Sequence, residues 1–138
     1  MDFNLVKYTK CGILGMDKKI DKELNWVGSS RDDIRDFPED VKDDMGYALR
    51  EVQQGKKPAS AKPLKGFKGT GVLEIIEDYR TDTYRAVYTV KFSDVVYVLH
   101  CFQKKSKKGI GTPKQDIQLI ERRLKAAEEH YAKSHKKG

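Results

Sequence analysis

Apolar positions between residues 34 and 52 fall into one helical stripe. Ile34, Phe37, Val41, Met45, Ala48 and Val52 recur at spacings of three and four, with Leu49 beside them, so one side of this stretch is built for burial. Pro38 interrupts the stripe; proline removes a hydrogen bond inside a helix but suits a first turn. The pattern predicts a short helix over 30–36, a break, and a longer helix over 38–54 that stops at Gly55. Ser29 or Ser30 supplies the first cap, and Ser30 with Asp33 three residues on approximates a capping box.

Upstream, residues 24–27 read as a strand. Downstream, residues 72–76, 84–92 (YRAVYTVKF) and 95–102 (VVYVLHCF) are rich in β-branched and aromatic side chains, the composition of strands. Asp82-Thr83 and Ser93-Asp94 suit the turns between them, which makes an antiparallel meander. Thr112 as cap and Pro113 at the first helical position open a last helix, with Ile117, Ile120, Leu124 and Ala127 as its apolar face. Residues 1–22 show no clean period and read as an extension with a short strand at 3–7, while the basic tail 131–138 frays. The expected domain is residues 23–130. It is an α+β fold of order β-α-α-β-β-β-α, with helices packed on one face of a small, curved, mainly antiparallel sheet.

Strict alternation assigns faces. Arg85, Val87, Thr89 and Lys91 share one side of their strand; Tyr84, Ala86, Tyr88 and Val90 share the other and look core-facing. In the last strand, His100 falls with Val96, Val98 and Phe102, and Cys101 falls with Tyr97 and Leu99.

Charge adds a direction. The net charge of +7 divides into −3 over residues 1–55 and +10 over residues 56–138. The connection 55–71 carries five lysines, and Lys104, Lys105, Lys107 and Lys108 crowd behind the last strand. An anionic partner is drawn to that part of the chain, and nucleic acid is the default candidate. Cys11 and Cys101 lie far apart, and no CxxC, HxxxH or HExxH spacing occurs, so neither a disulfide nor a metal site is expected. No apolar run nears the roughly 20 residues of a membrane span, and no signal peptide opens the chain. The expected location is the cytoplasm.

The segments FPEDV, GYAL, AKPLKGF, TYRAVYTVKF and LHCFQKKSKKGIGTP together resemble the phage-derived HigB-like branch of the RelE/ParE toxin superfamily, over about residues 24–127. That resemblance implies a RelE-like fold and the toxin of a type II toxin–antitoxin pair. It implies cleavage of messenger RNA, usually on the ribosome, without a cofactor. Its expected partner is a cognate antitoxin, often a helix-turn-helix protein. The ParE branch instead poisons DNA gyrase, and a catalytically silent relative that only binds nucleic acid or protein is a third reading; fold alone does not choose.

Metal-free RNA cleavage uses the substrate's 2′-hydroxyl as nucleophile. It needs a base, an acid and fixed cations around the phosphorane. By the resemblance, Arg85 matches the arginine of the YR element in RNA-cleaving relatives, and its planar guanidinium suits two phosphoryl oxygens. Lys104 and Lys105 match the basic pair after the last strand, and Lys107 and Lys108 extend that patch. Lys62, Lys65 and Lys68 are candidates for tracking the RNA backbone. Glu74 stands where RNA-cleaving relatives carry lysines. It orients Arg85, serves as general base, repels RNA, or makes a purely structural ion pair. His100 is a candidate proton shuttle, or a packed strand histidine.

Overall fold

The structure, a computed structural model, describes residues 21–105 and 112–134, with the side chain of Lys105 excepted. The expected strand at 3–7, and Cys11, Lys107 and Lys108, lie outside the described residues. The elements are β1 (Glu23–Trp26), α1 (Ser30–Arg35), α2 (Glu39–Gln53), β2 (Ala61–Pro63), β3 (Val72–Tyr79), β4 (Asp82–Thr89), β5 (Val95–Lys105) and α3 (Lys114–Ser134). They form one sheet of order β1-β5-β4-β3-β2. β1 runs parallel to β5, and the other neighbours are antiparallel. The α+β class and the expected element order are observed, with one addition. The short β2 arises inside the Lys-rich connection, where too few apolar residues mark it.

The double helix start follows from Pro38, which takes the N-cap of α2 at φ −57° and ψ 149°. The capping box is replaced. Ser29 flanks α1, and its hydroxyl donates to the Asp33 carboxylate at 2.8 Å. Ser30 is fully buried and donates to the Val98 carbonyl of β5 at 3.1 Å, which docks α1 on the sheet. The first hairpin turns at Arg80-Thr81, two residues before the expected Asp82-Thr83. Arg80 adopts the left-handed φ of 59° that such a tight turn needs, and its guanidinium lies 5.1 Å from the centre of the Tyr79 ring.

The sheet has two packed faces. Ile34 and Phe37, with Val41, Met45, Leu49 and Val52 of α2, cover Ile75, Tyr84, Ala86, Tyr88, Val96, Val98 and Cys101. On the other side, Ile120, Leu124 and Ala127 of α3 meet Val72, Val87, Tyr97 and Leu99, joined by Leu64 and Phe67. The single helical layer expected from the sequence is therefore extended: α1 and α2 share one face, and α3 covers the opposite one.

A β-bulge decides which residues meet α3. The β4–β5 register runs Val87↔His100 and then Tyr88↔Val98, leaving Leu99 unmatched. An extra residue reverses the alternation beyond it. Cys101 therefore joins Val96 and Val98, while Leu99 faces α3 with Tyr97. His100 lies on the α3 side, not with Val96 and Val98 as alternation predicts. Burial pushes the Cys101 thiol well above the ordinary range, so it packs as an inert apolar group.

α3 begins one residue later than expected. The Pro113 carbonyl accepts from the Asp116 and Ile117 amides, both at 3.0 Å, so Pro113 fills the cap position and the Thr112 side chain does not. At its other end α3 continues to Ser134. Tyr131 stacks on Phe92 with ring centres 4.2 Å apart and donates to Asp94 at 2.8 Å, which holds the last turns down. Among the described residues, no helix is long and apolar enough to cross a membrane.

Candidate active site

The strand register builds a grid on the α3 side of the sheet. One row across β2, β3, β4 and β5 is Lys62, Glu74, Val87 and His100. The next is Ile76, Arg85 and Phe102, and the third is Asp78, Thr83 and Lys104. Opposite residues of antiparallel strands share a face, so pairing alone gathers Glu74, Arg85, His100 and Lys104 within a few strand spacings of about 4.8 Å.

Side chains tighten the grid. Arg85 Nη1 donates diagonally to Glu74 Oε1 at 3.0 Å, and the two side chains are only 13% and 5% exposed. The same nitrogen donates to Thr112 Oγ1 at 3.3 Å, which is where the expected cap hydroxyl goes. Arg85 Nε is buried without a partner among the described residues. An unspent buried donor costs roughly 1–3 kcal/mol, and here it belongs to the side chain best shaped to take a phosphoryl oxygen. Lys104 is 8% exposed. Burial, and then the neighbouring Arg85, push its ammonium below the ordinary lysine value, with Glu74 pulling the other way. Glu74 thus answers both Arg85 and Lys104.

His100 sits beside this group. Its Nε2 lies 2.7 Å from Asp116 Oδ1 in the first turn of α3. Its ring stacks on Phe102 with centres 4.7 Å apart and planes 18° apart. Nδ1 is buried and has no partner among the described residues. In the neutral ring, a hydrogen on Nε2 donates to Asp116 Oδ1 and the lone pair lies on Nδ1.

Arg85, Glu74, Lys104 and His100 are thus brought together. Lys62 stands opposite Glu74 and is exposed. Lys65 and Lys68 are exposed on the turn that Leu64 and Phe67 pin to the α3-side core, which puts cations along the β2 edge of the same face. The backbone of Lys105 pairs with Asp82. Asp116, Thr112 and Phe102 were not assigned to the site from sequence. For Asp116 a signal existed. It stands four residues before Ile120 and eight before Leu124, so a charged residue heads an apolar helical stripe.

Among the described residues no group of three or more His, Cys, Asp or Glu side chains is arranged to hold a metal ion. A separate groove of about 590 Å³ opens on the α1/α2 side, between Trp26, Arg31, Ile34, Lys42, Tyr47 and Arg50. It contains none of the grid residues.

The sequence pattern of one protein family, described as "Phage derived protein Gp49-like", matches residues 32–125. Among curated proteins none matches the chain. A mutant of the E. coli toxin RelE in the free state is 19% identical, with a TM-score of 0.49 over 78% of this chain and 98% of that one. The RelBE2 toxin–antitoxin complex from Mycobacterium tuberculosis is 20% identical, with a TM-score of 0.38 over 64% and 97% of the two chains. The family match spans more than half of the chain and takes in Glu74, Arg85, His100, Lys104 and Asp116, and the chain belongs to this phage-derived Gp49-like family.

Proposed function

We propose that this protein is the toxin of a toxin–antitoxin pair and blocks translation by cutting messenger RNA at the α3-side grid. The observation that carries the reading is the convergence of Arg85, Lys104 and Glu74 on one sheet face, with the buried Nε of Arg85 left without an acceptor. Three buried charges in one patch are costly to a fold. A phosphodiester oxygen suits the unspent Nε of Arg85.

The chemistry follows from the residues. The 2′-oxygen attacks phosphorus, the bond to the 5′-oxygen breaks, and a 2′,3′-cyclic phosphate remains. Arg85 and Lys104 neutralise the charge that builds on the phosphoryl oxygens. Glu74, committed to Arg85 at 3.0 Å, holds the guanidinium in place. His100 takes the proton of the 2′-hydroxyl through Nδ1, and Lys104, made more acidic by its burial, gives one to the departing 5′-oxygen. Lys62, Lys65 and Lys68, with Lys105, Lys107 and Lys108, bind the flanking backbone, and binding weakens steeply with salt. The ribosome positions the message, which supplies orientation that the free protein need not provide. The cognate antitoxin, a helix-turn-helix protein by the family resemblance, covers the site with an acidic segment. The reaction takes place in the cytoplasm.

The test is brief induction in cells followed by primer extension on abundant messages. Wild type is expected to give new, codon-linked 5′ ends. Arg85→Lys keeps the partner charge for Glu74 but loses the planar fork, and should cut roughly 100-fold less or worse. Intact messages with double-strand DNA breaks would replace this reading with gyrase poisoning. Growth arrest with neither lesion would leave a binding toxin only.

A further inference from the structure

We propose that Asp116 is a positioning residue for His100: it fixes the imidazole with hydrogen on Nε2, so that Nδ1 serves the site as proton acceptor. This rests on the cleavage reading above and assigns a role within it to a residue of α3.

Three features hold the imidazole. The bulge at Leu99 turns His100 toward α3 and away from the apolar core around Val96 and Val98. Phe102 stacks against the ring and sets its plane. Asp116 Oδ1, at 2.7 Å, then fixes which nitrogen carries the hydrogen. Asp116 is itself well anchored. It lies in the first turn of a long helix, where the dipole favours a carboxylate, and Ile120 one turn on is fully buried against the sheet.

The remaining nitrogen is the telling one. A histidine that serves only to pack normally spends both ring nitrogens, because a buried acceptor without a donor costs about 1–3 kcal/mol. Nδ1 of His100 is buried and unmatched among the described residues. The carboxylate–imidazole pair thus leaves one ring nitrogen unspent on a residue that shares its sheet face with Arg85 and Lys104. The charged groups on the elements around the ring are Asp116 from α3, Glu74 from β3, Arg85 from β4 and Lys104 from β5 itself. Two are negative and two positive, so the contact at 2.7 Å dominates.

The experiment compares wild type, Asp116→Asn and Asp116→Glu in single-turnover cleavage of a message on purified ribosomes across pH. Long-range ¹H–¹⁵N spectra of the His100 ring accompany each protein. Wild type should show hydrogen on Nε2. Asp116→Asn should lower the cleavage rate about tenfold or more at neutral pH, with KM for the message nearly unchanged. Asp116→Glu should recover part of the rate and restore the Nε2–H spectrum. A wild-type rate in Asp116→Asn, a faster one, or a loss confined to KM overturns the inference and leaves the cleavage reading standing. Absence of cleavage by wild type overturns both.

Discussion

The two faces of the three central strands are built from different material. On the α1/α2 side, β3, β4 and β5 bury Ile75, Tyr84, Ala86, Tyr88, Val96, Val98 and Cys101 against helices that return almost only aliphatic and aromatic groups. On the α3 side, the same strands bury Val72, Val87, Tyr97 and Leu99 together with Glu74, Thr89, His100 and Lys104, with Arg85 nearly covered. The apolar face gains free energy from each group removed from water. The charged face must offset desolvation with pairing, and it does so incompletely, as Arg85 Nε and His100 Nδ1 record. Both faces bury apolar groups, but only the α1/α2 face does so without charges. The other adds to its apolar core a set of charges that packing alone does not call for, which makes it the candidate site.

This contrast can be broken in graded ways. Arg85→Met should cost the most, about 3–5 kcal/mol in urea unfolding, because it strands the buried Glu74 carboxylate. Adding Glu74→Gln should return most of that loss. A single alanine at Arg85 is thus a poor functional probe, since its effect on folding and its effect on RNA cannot be separated. Leu49→Ala, on the apolar face, should lose about 2–5 kcal/mol, with no second substitution on the charged face able to restore it. Lys104→Met should have the smallest effect and the opposite sign. The ammonium is held below its ordinary value of 10.5, so the folded state binds protons less readily than the unfolded one. The penalty is present at neutral pH and fades as pH rises through that lowered value toward 10.5. Lys104→Met should therefore raise stability at pH 7, and the gain should shrink in alkaline buffer.

Much of the fold was legible because it rests on periodic burial. The stripe from Ile34 to Val52 fixed both helices on the apolar face, and Pro38 marked the break. Runs of Val, Tyr and Phe marked the meander. Two features had no local signature. β2 is three residues, Ala61–Pro63, held by pairing with β3. The bulge at Leu99 comes from fitting β5 to β4, and alternation counted along one strand cannot detect it.

The bulge matters most for the site. Arg85 and Glu74 were readable as face-sharing candidates, since no irregularity separates them. His100 keeps Phe102 on its face but loses Val96 and Val98 to the bulge, and its partner Asp116 lay beyond view in another element. Its position at the head of the Ile120–Leu124 stripe was the one available hint. Thr112 was read through cap chemistry, which Pro113 takes over, freeing the hydroxyl for Arg85.

The most direct test of the central claim is growth arrest by the Arg85→Met/Glu74→Gln double variant, measured beside its unfolding free energy. The account predicts a folded protein of near wild-type stability that no longer arrests growth. A double variant that folds and remains as toxic as wild type would contradict it.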